Sequence, residues 1–76
     1  MKDFVVLQKT SEKTDIFLFL DLKELTEMYY ENKFFRRDVD NGRLIIYVRD
    51  PKKIQGMLHS QHNLDIISDK LMELIQ

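Results

Sequence analysis

The chain has 76 residues, of which 43% are apolar and 33% are charged, and its net charge is −1. This length predicts one domain over residues 1–76, and the apolar content excludes the disordered class. Because the sequence contains no cysteine, a disulfide framework and a thiolate metal site are also excluded.

The N-terminal apolar run, Phe4 to Leu7, is too short for a signal peptide, and no run approaches the ~20 residues of a membrane-spanning helix. We therefore expect an intracellular, cytoplasmic protein that binds no membrane, with the nucleus as the alternative compartment.

Two strands are predicted near the N-terminus. Residues 4–9, FVVLQK, are apolar and β-branched, and a polar turn over residues 10–14 follows them. The segment from Asp15 to Asp21, DIFLFLD, then contains an unbroken apolar run, which is typical of a strand buried on both faces. This pattern predicts a central position in the sheet. The alternative is a helix that begins at Ser11 and runs through this segment.

Asp21 begins a predicted helix. Asp21 and Glu24 have the spacing of a capping box, and Leu22, Leu25 and Tyr29 recur with helical periodicity. Asn32 is expected to end this helix in a left-handed conformation. If the helix does not form, the same stretch becomes another strand of the sheet.

The clearest pattern in the chain is the stretch from Phe34 to Arg49, FFRRDVDNGRLIIYVR. Asn41 and Gly42 tolerate the positive φ angles of a type I′ turn, so the stretch predicts a β-hairpin. The register set by that turn gives one face that is apolar except for Arg37. A shift of one residue would scramble this division, so the pattern supports the register.

A C-terminal helical region is predicted from Asp50-Pro51, which suits a helix start. One unbroken helix from 51 to 76 would be roughly 39 Å long, whereas a globule of this length is only about 25–30 Å across. The helix therefore either breaks near Asn63 or projects onto another chain. Two apolar stripes lie along it: Ile54, Met57 and Leu58, and then Leu64, Ile67, Leu71, Leu74 and Ile75.

Taken together, these elements predict an α+β fold: a small antiparallel sheet in ββαββα order, with the hairpin at 34–49, covered by helices.

No catalytic arrangement is evident in the sequence. His59 and His62 are three residues apart, but no carboxylate is well placed to complete a metal site with them. The two glycines are too few for a glycine-rich phosphate loop, and no serine has the setting of a nucleophile. We therefore expect no enzymatic activity, no cofactor and no metal.

Two functions of different classes fit the sequence. The first is a small non-enzymatic regulatory protein that docks on a larger protein, or on a second copy as a homodimer, through the C-terminal residues Leu64, Ile67, Leu71, Leu74 and Ile75. The alternative is a nucleic-acid-binding module, since residues 33–53 contain seven basic and three acidic side chains interleaved with aromatic ones. A sequence pI of about 6.1 counts against this alternative. Its contact residues would be Arg36, Arg37, Arg43, Tyr47, Arg49, Lys52 and Lys53.

Overall fold

Three strands form one antiparallel sheet, and helices pack on one of its faces. The computed structural model describes residues 2–50, 52 and 69–75. Its elements are β1 (Phe4–Lys9), β2 (Thr14–Leu20), α1 (Leu22–Glu31), α2 (Lys33–Asp40), β3 (Leu44–Val48) and α3 (Asp69–Leu74). The predicted helix start at Pro51, the stripe Ile54, Met57 and Leu58, and the pair His59 and His62 lie outside the described residues. The α+β class is confirmed, whereas the predicted order of elements is not.

The central strand is β1, and β2 lies at an edge, because the strand order is β2-β1-β3. The prediction that the DIFLFLD segment is central and buried on both faces is wrong. Ile16, Phe17 and Phe19 of β2 are 61%, 47% and 42% exposed. Only Leu18 and Leu20 of this strand pack against the core. A continuous apolar run shows that both faces of a strand are apolar, but it does not show that both faces are covered.

The pairing of β1 with both neighbours builds the sheet side of the core. Phe4 pairs with Leu20 on one side and Val48 on the other, and both Phe4 and Val6 are fully buried. The register with β3 is regular throughout. The register with β2 shifts between Val6 and Leu7, which leaves Phe17 as the extra residue of a β-bulge.

The predicted helix at 22–31 is present as α1, and its capping box is confirmed. The Asp21 side chain accepts a hydrogen bond from the Glu24 N–H (2.8 Å), and the Asp21 N–H donates to Glu24 Oε1 (3.0 Å). Lys2 also pairs with Glu24. The hydrogen bond from the Lys2 ammonium and that from the Asp21 N–H hold the pKa of the Glu24 carboxyl below its usual value.

The predicted first strand of the hairpin is a helix, α2, so the hairpin at 34–49 does not form. Asn32 both ends α1 and begins α2. Its N–H donates to the Met28 carbonyl (3.0 Å), and its Oδ1 accepts from the N–H groups of Phe34 and Phe35 (3.0 Å each). Its φ is −105°, so the expected left-handed helix end is wrong. Phe35 and Val39 are both buried. Residues four apart lie on the same face of a helix and also on the same face of a strand, so this pair fits either structure.

Asn41 and Gly42 end α2 instead of forming a type I′ turn. Gly42 has a φ of +83°, but Asn41 has a φ of −94°, whereas a type I′ turn needs positive values at both positions. The Gly42 N–H donates to the Val39 carbonyl (3.2 Å), and the Arg43 N–H donates to Asn41 Oδ1 (3.1 Å). Glycine in this conformation just after a helix is a common helix end. The chain then enters β3, which pairs with β1.

The last described helix completes the core. Leu71 of α3 is fully buried, and Leu74 and Ile75 are partly buried against the same cluster. Ile75 also forms a parallel bridge with Ile46, so the C-terminal segment contacts the outer edge of β3. The buried side chains that form the core are Phe4, Val6, Leu20, Leu25, Tyr29, Phe35, Val39, Leu44, Ile46 and Leu71.

Candidate interaction surface

The face of the sheet opposite the core is apolar, and no described helix packs on it. Side chains alternate along each strand, so residues paired across the three strands share this face. One row joins Phe19, Val5 and Tyr47, and the second joins Ile16, Leu7 and Ile45. We call these six residues the outer face.

The outer face is both exposed and continuous. Ile16, Phe19 and Tyr47 are 61%, 42% and 40% exposed, and the other three side chains are half-buried. Three strands over about five residues each span roughly 14 Å by 17 Å at the usual strand spacing and rise. Contiguous apolar patches with a polar rim are candidate interaction surfaces.

Basic side chains lie at both ends of the outer face. Alternation along β1 and β3 places Lys9 and Arg43 at one end, where the Lys9 N–H donates to the Arg43 carbonyl (2.8 Å). At the other end, the Arg49 guanidinium lies 5.1 Å from the centre of the Phe19 ring and donates to the Lys2 carbonyl (3.2 Å). Among the residues that the structure describes, no carboxylate forms a salt bridge with Lys9 or Arg43.

The structure separates the residues expected to bind nucleic acid. Arg43, Tyr47 and Arg49 lie on or beside the outer face. Arg36 and Arg37 lie on α2, which packs against the opposite side of the sheet. Lys52 is exposed beyond β3, and Lys53 lies outside the described residues.

Arg37 does not lie on an apolar face, so that prediction is wrong. Its side chain is 62% exposed on α2, and its Nε is 3.6 Å from Asp38 Oδ1. Its guanidinium also lies 5.4 Å from the centre of the Phe34 ring. The hairpin register had put Arg37 among core residues; on a helix, the same residue points away from Phe35 and Val39.

The residues expected to dock a partner at the C-terminus are only partly described. Leu64 and Ile67 lie outside the described residues. Leu71 is fully buried in the core, so it has no exposed surface to offer. Leu74 and Ile75 are partly buried against that core.

A second concave surface lies between α1 and the beginning of α2. This cleft has a volume of about 710 Å³, and its apolar part is formed by Leu20, Met28 and Phe34. Its acidic side chains are Glu24, Glu27 and Glu31 of α1. Three acidic side chains of α1 therefore line one wall of this cleft.

Within residues 2–50, 52 and 69–75, no group of three or more histidine, aspartate or glutamate side chains could hold a metal ion. The helices of this part are also too short and too polar to cross a membrane. The Tyr29 hydroxyl donates to Asp40 Oδ1 (2.8 Å), and burial and this hydrogen bond raise the pKa of Tyr29 to about 12. This bond ties α1 to the end of α2.

Sequence reasoning missed most of the outer face. Of its six residues, only Tyr47 was among the predicted contact residues. A signal was present, because the DIFLFLD segment has apolar side chains on both sides. Because that run was interpreted as a buried central strand, its side chains were not considered as contact residues. The structure places β2 at the edge of the sheet, where one of its apolar faces is exposed.

Comparisons of the chain with models of protein families, with curated proteins and with solved structures found no match.

Proposed function

We propose that this chain is a small non-enzymatic interaction protein that docks on another protein through the outer face of its sheet. The observation that carries the proposal is the set of two apolar rows, in which Ile16, Phe19 and Tyr47 are each at least 40% exposed. Burying exposed apolar surface is the main driving force of protein association. Apolar residues scattered singly over a surface are normal, whereas the six residues of the outer face are contiguous.

The outer face supports this proposal better than the C-terminal stripe does. Leu71 already packs fully inside the core, so a partner could reach it only if the core opened. The outer face needs no such rearrangement. Its side chains also sit on paired strands, which hold them in fixed positions before a partner arrives.

Site-specific photocrosslinking tests this proposal. A photoreactive phenylalanine analogue replaces Tyr47 on the outer face or, as the control, Phe34 on α2. In cells that express the chain, irradiation is expected to give a discrete protein adduct from position 47 and none from position 34.

A second substitution shows whether the adduct depends on the apolar face. Adding Ile16→Ser should remove the adduct, whereas adding Phe34→Ser should leave it. Ile16 and Phe34 are 61% and 60% exposed, so both changes should leave the unfolding free energy within about 0.5 kcal/mol. An adduct that survives Ile16→Ser, or equal adducts at both positions, would contradict the proposal.

A second candidate function is the binding of single-stranded nucleic acid. It is favoured by the arrangement of Phe19 and Tyr47 in one row with Arg49 beside them, since sheet-based readers combine aromatic side chains with basic ones. Titration of a labelled mixed-sequence oligonucleotide at low and high salt tests it. Binding of the oligonucleotide at low salt that is weaker in a Tyr47→Ser, Arg49→Gln variant would support this function. No binding at low salt would exclude it.

A further inference from the structure

We infer that the partner presents an acidic amphipathic helix to the outer face. This inference rests on the proposed docking function and adds the shape and the charge of the partner.

The shape follows from the width of the sheet. The two edge strands, β2 and β3, lie about 10 Å apart, which is two strand spacings. An α-helix with its side chains is roughly 10–12 Å across. One helix therefore covers the two rows of the outer face, and an apolar sheet face is commonly buried under helices in proteins. The core face of this same sheet is already covered in that way by α1 and α2.

The charge follows from the two ends of the outer face. Lys9 and Arg43 lie at one end and Arg49 lies at the other. Among the residues that the structure describes, no carboxylate pairs with Lys9 or Arg43, so their charges face solvent. Glutamate side chains that flank the apolar stripe of a bound helix would approach these cations and complement them.

A second copy of the chain fits this surface less well. Two outer faces packed against each other would bring Arg49 of one copy close to basic side chains of the other, whichever way the strands ran. Like charges that face each other across an interface oppose association.

Single-stranded nucleic acid also fits less well than an acidic helix. Four of the six residues of the outer face, Val5, Leu7, Ile16 and Ile45, are aliphatic, and such side chains provide no stacking platform for bases. The Arg49 guanidinium already lies over the Phe19 ring. The outer face can therefore bury apolar side chains of a partner, while the basic side chains at its ends favour an acidic one.

Binding of two matched peptides to the 76-residue chain tests the inference by fluorescence anisotropy. The peptides have equal length, the same leucine stripe and the same helix-favouring alanines. Only the positions that flank the stripe differ, with glutamate in one peptide and lysine in the other. We expect the glutamate peptide to bind about tenfold more tightly, which is the ratio that ~1.4 kcal/mol from a few exposed ion pairs provides.

Two double variants show where the preference arises. Lys9→Glu with Arg43→Glu should reverse it. Lys33→Glu with Arg37→Glu on α2 makes the same change in net charge on the other side of the fold, and it should leave the preference unchanged. Should the first variant not fold, Lys9→Gln with Arg43→Gln is expected to weaken the preference without reversing it, because Arg49 remains at the other end.

The outcomes separate this inference from the proposed function. If both peptides bind equally, or the preference survives Lys9→Glu with Arg43→Glu, the acidic partner is refuted while docking at the outer face stands. If neither peptide binds, the helical partner is refuted, and the crosslinking result at position 47 decides separately whether the face docks anything. An oligonucleotide that binds where the peptides do not, or a chain that sediments as a dimer through this face, would also overturn the inference.

Discussion

Replacing Gly42 tests how the chain leaves α2. Gly42 has a φ of +83°, and a Cβ added there would meet no atom within 4 Å. The effect of a substitution is therefore a backbone effect without a steric clash. An L-residue in the left-handed region destabilises the folded state by about 1–2 kcal/mol. Alanine also lowers the entropy of the unfolded chain, which stabilises the fold by about 0.4–1 kcal/mol.

We expect Gly42→Ala to lower the free energy of unfolding by about 1 kcal/mol, and Gly42→Val by up to about 3 kcal/mol because valine is β-branched. Urea titration at neutral pH measures both values. In thermal unfolding, each 1 kcal/mol should lower the midpoint by about 4–8 °C for a domain of this size. Gly42→Asn is the matched control, since asparagine tolerates the left-handed region and should lose least.

Substitution of the preceding residue separates a helix end from a type I′ turn. In such a turn Asn41 also needs a positive φ, so Asn41→Val would cost as much as Gly42→Val. With the observed φ of −94°, Asn41→Val should lose mainly its hydrogen bond to the Arg43 N–H, or roughly 0.5–1.5 kcal/mol. Equal losses for the two valine variants, or an unchanged midpoint for Gly42→Val, would refute the described end of α2.

Three further substitutions test other parts of the fold. Tyr29→Phe should remove a late step near pH 12 from the absorbance titration of the three tyrosines. Because the pKa of Tyr29 is raised in the fold, its contribution to the free energy of unfolding should be present below about pH 10 and be lost between about pH 10 and 12. Asp21→Ala should lower the free energy of unfolding by about 0.5–2 kcal/mol while Asp21→Ser largely preserves it, because serine also caps a helix. Leu71→Ala should cost about 2–5 kcal/mol in urea unfolding, since Leu71 is fully buried; a loss below 0.5 kcal/mol, which is usual for surface positions, would instead place this residue at an interface.

The features that were predicted correctly depend on local patterns. The strand over residues 4–9 was predicted from its apolar, β-branched composition, and the helix over residues 22–31 from its helical periodicity. The Asp21 and Glu24 capping box is a short-range signal as well. Such signals do not depend on what the rest of the chain does, so they can be recognised in the sequence.

The two features that were missed, α2 and the outer face, have different causes. Phe35 and Val39 are compatible with a strand or a helix, and the Asn32 side chain decides in favour of the helix by capping it. Arg37, a charged residue among apolar ones, was a further sign against a strand. The outer face could not be located because its two rows exist only once β1 lies between β2 and β3.

The position of β1 has a consequence for the order of folding. The strand nearest the N-terminus is the central one, and its second partner, β3, lies far along the chain, with Phe4 paired to Val48. The β1–β2 hairpin closes a short loop, whereas the β1–β3 pairing closes a long one and carries the larger entropic cost. During synthesis the first hairpin can form early, but β1 keeps an unpaired edge until β3 has been made. Refolding should accordingly be limited by the docking of β3, and substitutions in β3 should slow folding more than those in the turn between β1 and β2.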